Sequence, residues 1–483
     1  MLKFISRTVV LLLIGNGLLL YIHFSQSGSA TSNDLKLQTY SQEIEVTNRL
    51  DGLYIRHHFS RLTEGRYEIV WPESSMQRSC YLSDATSTAC SHLDENRTAF
   101  VDGENDRQSI TYVIPKKEPM QGTFLFKAPF VELHKGNVES TIFHITDETG
   151  IGGFWVNGLK QVGHKNLELI DYSLFQGSGK VTDLYWQKDI QPLVYEGERL
   201  SVYGEFTDLE GLAKADTILR SLNTPHSTAV IESGKPSVNS KRFIIAETND
   251  AESVSDALAI TSMFTQFKIP ENQHLIAESV ASILSGKGTG SKKSYALYDE
   301  LINALTENEV IGFVEKLKGL AGEAVDASVL DKLIGEVTGF GTSYYTKNSE
   351  EGTVFYPFLL EDPRNVLIDG KENPKIRLLL KDNKIFYPAT EILELTGYTI
   401  RFNEQSLYIE NEMRRFRFPL RDPFYVYNEQ KFNIVSPPFE IIEGEFYFEE
   451  SWLIRLFIFN IEKKAETISI IPMTMSQEKE VPK

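Results

Sequence analysis

The hydrophobic period of this chain changes twice along its length, and that pattern constrains the fold more than any single motif. From residue 35 to about 205, apolar residues come in short alternating runs, such as Glu43-Ile44-Glu45-Val46, Tyr67-Glu68-Ile69-Val70-Trp71 and Thr141-Ile142-Phe143-His144-Ile145. Leu50-Asp51-Gly52 and Tyr195-Glu196-Gly197 supply turns. Neighbouring side chains on a strand face opposite sides, so this alternation predicts an N-terminal β-sandwich-like region. From about 208 the spacing becomes helical, with Leu212, Ala215, Ile218, Leu219 and Leu222 on one face. Two strands, Ser227 to Ile231 and Lys241 to Ala246, precede a run of helices. These begin near Asp256, His274 and Leu297, at a Thr306/Glu309 capping box, and at a Ser328/Asp331 cap, with Gly339 as a stop. After a polar linker from Gly341 to Gly352, strands return. The expected class is multidomain α+β: a β-rich domain over 35–205, a central mostly helical domain over 208–346, and a C-terminal tandem small α+β repeat over 353–475.

The repeat has an offset of 61 residues: Ile385-Phe386-Tyr387 maps to Phe446-Tyr447-Phe448, Leu393 to Ile454, Tyr398 to Phe459, and Leu407 to Ile468. Each copy is too small to bury a good core alone, so two side by side are physically sensible. On Val366-Leu367-Ile368-Asp369-Gly370, Asp382-Asn383-Lys384-Ile385-Phe386-Tyr387-Pro388 and Leu395-Thr396-Gly397-Tyr398, this part resembles the N-terminal stalk domain of copper amine oxidases. The second copy departs with Glu449 in place of the Pro. The resemblance implies a surface or spacer module, sometimes with affinity for cell wall, and no copper chemistry.

Lys3 and Arg7 precede a stretch without charges from Thr8 to Asn33. Its apolar part, Thr8 to Phe24, would cover about 25 Å as a helix, a little less than the ~30 Å hydrocarbon core. Residues 1–33 are therefore expected to be a signal-anchor, with the N-terminus inside and the bulk outside a cell membrane. Cleavage after Gly28-Ser29-Ala30 would instead give a secreted protein. The net charge of −18 repels phosphate backbones and excludes nucleic acid as a partner. Export permits a disulfide between Cys80 and Cys90, the two cysteines of the chain. Closing so small a loop would contribute roughly 2.5–3 kcal/mol.

The helical block is similar to gluzincin-type zinc peptidases, in which one helix bears H-E-x-x-H and the next supplies a Glu ligand. Leu275-Ile276-Ala277-Glu278-Ser279-Val280 resembles that second helix, which makes Glu278 a vestigial ligand position. The helix that should hold the motif reads Ser255-Asp256-Ala257-Leu258-Ala259-Ile260-Thr261, and no His in the chain is followed by Glu. Zinc catalysis needs two imidazoles one turn apart with a Glu base, so the resemblance implies a degenerate domain. No metal and no cofactor is expected.

Gly286-Lys287-Gly288-Thr289-Gly290-Ser291-Lys292 departs from a phosphate loop, because Ser291 stands where the second Gly belongs. Gly150-Ile151-Gly152-Gly153 reads as a turn. His57-His58 on a strand point to opposite faces, one expected buried and one exposed. No G-x-S-x-G elbow is present. Aromatics between Phe416 and Phe459 could stack on sugars but are expected to fill the core of the repeat. Together these readings predict a non-catalytic envelope protein that binds or spaces, with a cell-wall polymer or an envelope protein as partner. The alternatives are an exported peptidase or glycan hydrolase with an unrecognised site, and a pseudo-peptidase regulator of a membrane partner.

Overall fold

The computed structural model describes residues 38–473, except 64, 82–91, 102–104, 119, 135, 169, 235–236, 249, 350–353 and 382–383. The chain forms two compact units, Met1–Leu258 and Ala259–Lys483.

The first unit is built on a seven-stranded sheet of β1 (Gln38–Asn48), β2 (Gly52–Leu62), β3 (Met76–Cys80), β4 (Asn105–Pro115), β5 (Gly136–Asp147), β6 (Lys160–Asn166) and β7 (Asp171–Ser178), in the order β6-β7-β5-β1-β2-β4-β3. Ile44, Val46, Ile55, Phe59, Ile110 and Phe143 occupy alternate positions and are buried on one face. A three-stranded sheet (Phe154–Val156, Leu184–Gln187, Thr123–Phe126) adds Phe126, Trp155 and Trp186 to the same core. The large sheet is mixed: β1 pairs antiparallel with β2 but parallel with β5. A half-buried strand shows the same alternation in either pairing, so that difference is invisible in the sequence pattern.

The same unit holds a five-stranded sheet of β8 (Leu193–Glu196), β9 (Leu200–Gly204), β10 (Ser227–Ile231), β11 (Val238–Asn239) and β12 (Phe243–Ala246), ordered β8-β9-β10-β12-β11. Helix α1 (Leu209–Ser221) connects the parallel pair β9 and β10, and buries Leu212, Ala215 and Leu219. Arg242, just before β12, is 3 % exposed. Its guanidinium donates to the carbonyls of Ser178 (2.8 Å), Lys180 (3.0 Å) and His226 (2.9 Å). It thereby ties the end of β7 to the five-stranded sheet. Gly158 (φ +81°) lies so close to Arg242 that a Cβ there would collide with it. Burial lowers the Arg242 pKa to about 10, which leaves it charged at neutral pH.

Helix α2 (Ala251–Gln266) runs across the boundary between the units and is the longest described helix, at 16 residues. Spanning a bilayer takes about 20 predominantly apolar residues, and α2 carries Glu252 and Asp256. Among the described residues no helix is long and apolar enough to cross a membrane. The expected single-pass anchor and cell-membrane location find no counterpart among the described residues, and the segment Thr8 to Phe24 on which they rest lies outside them.

The second unit contains α3 (His274–Ser285), α4 (Lys292–Ala304), α5 (Glu307–Gly319), α6 (Ala327–Thr338) and α7 (Tyr344–Ser349). The capping box opens α5: the Thr306 hydroxyl accepts from Glu309 N, and the Glu309 carboxylate accepts from Thr306 N. Thr306→Ala is expected to cost about 1 kcal/mol, read as a shift of the denaturant midpoint of this unit. The cap of α6 differs from the expected Ser328/Asp331. Asp326 accepts from Val329 N (3.0 Å), while Asp331 accepts from Tyr345 N (2.7 Å) and Thr346 N (2.9 Å) at the start of α7. An acidic residue one turn into a helix reads as a box partner in sequence. Its real use depends on which helix end lies beside it.

The C-terminal part of this unit shows the 61-residue offset in its elements. In the first copy these are β13 (Leu379–Lys381), β14 (Lys384–Pro388), α8 (Ala389–Leu395), β15 (Thr399–Phe402) and β16 (Ser406–Glu410). There follow β17 (Arg415–Pro419), β18 (Phe424–Tyr427) and β19 (Gln430–Asn433), then the second copy. That copy comprises β20 (Phe439–Ile442), β21 (Glu445–Glu449), a short helix α9 (Glu450–Trp452) with a π turn (Leu453–Phe457), β22 (Phe459–Lys463) and β23 (Thr467–Pro472). β14 pairs antiparallel with β21, so both copies share one sheet. Ile392 and Leu393 of the first copy and Leu453 and Leu456 of the second are buried in one core. Leu395, at the last position of α8, is 57 % exposed.

Candidate functional site

The hairpin β1–β2 sets the geometry of the most functional-looking cluster in the first unit. Its register places Glu43 opposite His58 and Glu45 opposite Arg56. Parallel pairing with β5 places Glu45 opposite His144, and β4 places Ser109 opposite His58. These side chains share the face of the large sheet opposite to its core. There they form two parallel relays.

In the first relay the Ser109 hydroxyl lies 2.7 Å from His58 Nδ1, and His58 Nε2 lies 3.3 Å from Glu45 Oε1. In the second the Tyr172 hydroxyl lies 2.7 Å from His144 Nδ1, and His144 Nε2 lies 3.3 Å from Glu43 Oε1. Each carboxylate also meets an arginine: Arg56 beside Glu45 at 3.5 Å and Arg107 beside Glu43 at 2.9 Å. A hydroxyl that donates to Nδ1 leaves the proton of a neutral imidazole on Nε2, facing the carboxylate. Both Nε2 atoms are within ion-pair distance of a carboxylate, but off the line of a hydrogen bond. The His58 imidazole holds the Glu45 carboxyl below its ordinary range, with burial acting against it. Burial first, and then Glu43 and Glu45, raise the Tyr172 phenol. A hydroxyl bonded to an imidazole, with a carboxylate nearby, supplies the parts needed to take a proton from an attacking oxygen and return it to a leaving group.

The expectation of one buried and one exposed histidine is corrected here, because His57 and His58 are 0 % and 4 % exposed. Tyr81 covers His58 edge-on at 5.6 Å. His57 points into the core, stacked on Phe59 at 4.2 Å. Its Nε2 meets Gln42 Oε1 at 3.0 Å, and Gln42 donates to Thr141 at 2.9 Å. Burial lowers the His57 pKa to about 3, so it stays neutral and belongs to a structural network.

Glu278 lies on α3 and is engaged locally. Its carboxylate accepts from the Ser291 hydroxyl at 2.5 Å, at the N-terminus of α4, and packs against Gly290 (φ +94°). The Gly286–Ser291 loop is built around Thr289, 1 % exposed, whose N–H donates to Ser282 Oγ at 2.9 Å. That main-chain donor is consumed internally, so the loop does not cradle a phosphate as a Walker loop does. Cys80 is disulfide-bonded, and Cys90 lies outside the described residues. Phe416, Phe418, Phe439, Phe448, Phe457 and Phe459 are buried together, which makes most of the C-terminal aromatics core.

The donor set does not fit a gluzincin zinc site. Helix α2 carries no histidine, and among the described residues no group of three or more His, Cys, Asp or Glu is arranged to hold a metal ion.

No protein-family model and no curated protein matches the sequence. Among solved structures, the chain resembles a variant of the M1 zinc metallopeptidase of Deinococcus radiodurans, with a TM-score of 0.43 and 11 % identity over 66 % of this chain and 95 % of that one. The same enzyme in another structure gives 0.40 and 9 %, over 66 % of this chain and 94 % of that one. Yeast LTA4 hydrolase in complex with bestatin gives 0.38 and 8 %, over 62 % of this chain and 64 % of that one. These neighbours are peptidases and a hydrolase. The expected non-catalytic envelope scaffold finds no counterpart among these neighbours, and the resemblance to a copper amine oxidase stalk domain is not shown. A pattern made mostly of apolar positions is shared by many small α+β repeats, which is why it pointed to the stalk family.

Proposed function

We propose that this chain is a hydrolase directed at peptide chains, which works without a metal through the relay Glu45–His58–Ser109. The observation that supports it is the proximity of the three groups, 2.7 Å from hydroxyl to imidazole and 3.3 Å from imidazole to carboxylate, beside a second relay in which Tyr172 supplies the hydroxyl. In this reading Ser109 Oγ adds to the peptide carbonyl as its proton passes to His58 Nδ1. That proton then goes to the departing amine, and a water hydrolyses the resulting ester with His58 again accepting and returning a proton. Glu45, 3.3 Å from Nε2, offsets the charge of the protonated imidazole. The disulfide at Cys80 agrees with work in an oxidising compartment, as a secreted protein would have.

A second reading is favoured by one observation: Ser109 is 2 % exposed in the middle of a strand. A nucleophile so covered suits a pseudo-peptidase that holds its peptide uncut and regulates a partner.

Incubating the purified chain with a mixed peptide library, with and without EDTA, and analysing products and retained peptides by mass spectrometry separates the two. Cleavage that persists in EDTA and falls about a thousandfold or more in Ser109→Ala and His58→Gln supports the first reading. Retention without cleavage supports the second. Neither retention nor cleavage sinks both.

A further inference from the structure

The C-terminal unit holds a cavity of about 370 Å³ outside the site described above. Its walls are the rings of Phe418, Phe424 and Phe439 with Pro438 and Ile434, and Arg421 and Asp422 stand on its lining. A volume of this order accommodates a large apolar side chain together with its backbone.

Three independent features of this cavity point to one ligand. The first is its apolar interior, walled in part by prolines whose fixed backbone holds its shape without a bound partner. The second is charge. Among the described residues the Arg421 side chain makes no hydrogen bond or ion pair, so its five N–H donors are uncommitted beside an apolar hole. The third is the neighbouring sheet edge. β19 ends the five-stranded sheet β15-β16-β17-β18-β19. It follows a two-residue turn, Asn428-Glu429, with positive φ at both positions. In such a hairpin bonding pairs alternate, so the main-chain groups of Lys431 and Asn433 point outward, away from β18. The strand then runs directly into the cavity wall at Ile434.

We propose that this is a second peptide site, one that recognises a free C-terminus. An extended peptide adds to the outer edge of β19, places its last, apolar side chain in the cavity, and pairs its terminal carboxylate with Arg421. Main-chain pairing gives sequence-tolerant affinity, the cavity selects an apolar final residue, and the guanidinium selects a chain end over a chain interior. This site lies wholly in the second unit and stands whether or not the first unit cleaves anything.

Fluorescence anisotropy of the full-length chain with labelled hexapeptides tests it. The probes are a peptide ending in Leu or Phe as the free acid, the same peptide as the C-terminal amide, one ending in Asp, and a free-amine version whose C-terminus is amidated. The acid with an apolar end is expected to bind roughly tenfold or more tighter than its amide, as loss of a hydrogen bond to a charged group implies. Arg421→Ala should erase that difference without moving the thermal unfolding midpoint, and Val435→Asp, at a fully exposed lining position, should weaken both probes. Equal affinity for acid and amide, preference for the free amine over the free acid (which would point instead to Asp422), or no binding of any probe would overturn it.

Discussion

Arg242→Ala is expected to destabilise the first unit by about 3–4 kcal/mol, the largest single-residue effect the fold predicts. The substitution removes the donors that satisfy the buried carbonyl of His226 and the part-buried carbonyls of Ser178 and Lys180. Each buried acceptor left unmade costs roughly 1–3 kcal/mol, and the vacated volume adds a cavity cost. Relief of the buried charge works the other way, since among the described residues no carboxylate partners Arg242. For a unit of this size the net loss lowers the thermal midpoint by about 10 °C. Arg242→Lys should recover part of it, because an ammonium restores the charge but cannot reproduce a planar fork aimed at three carbonyls. A midpoint within about 2 °C of the parent for Arg242→Ala would mean that these bonds do not hold the two sheets of this unit together.

Acidification should produce the second large effect. Burial lowers the pKa of His57 to about 3 and of His226 to about 4. An unfolded imidazole titrates near 6.5. Between that value and the native ones, the unfolded chain binds protons that the folded chain refuses. Stability therefore rises with pH through this window, and these two contributions are complete only above about pH 6.5. At pH 5 each histidine is expected to cost roughly 2 kcal/mol, about 4 kcal/mol together. Chemical denaturation at pH 7 and pH 5 measures it. His57→Gln should remove about half of the pH-dependent loss, whatever it does to stability at pH 7. A denaturant midpoint that does not move between the two pH values would show that neither ring is held neutral by the fold.

Much of the local structure is legible in the sequence. The alternation through Glu43-Ile44-Glu45-Val46 marks β1, the spacing of Leu212, Ala215 and Leu219 marks α1, and Thr306 with Glu309 marks the start of α5. Each is a short-range signal, carried by side chains one strand step or one helix turn apart. The relays were not legible, because they join residues far apart in the chain. Glu43 meets His144 only through the parallel pairing of β1 with β5, and nothing in a half-buried strand announces its neighbour. One part was within reach. The turn at Leu50-Asp51-Gly52 sets the β1–β2 register, which brings His58 diagonally beside Glu45. The role of Arg242 could not be read either, since an arginine just before a strand looks like any exposed cation until the carbonyls around it are placed.

Peptide cleavage by hydroxyl, imidazole and carboxylate groups rather than by zinc is the proposed activity. Its most direct test is a timed mass-spectrometric assay of peptide cleavage by the metal-stripped chain and by the same preparation given one equivalent of zinc. Equal cleavage in both, lost in Ser109→Ala, is the expected result. Cleavage that appears only when zinc is added, or that survives in Ser109→Ala, would contradict it.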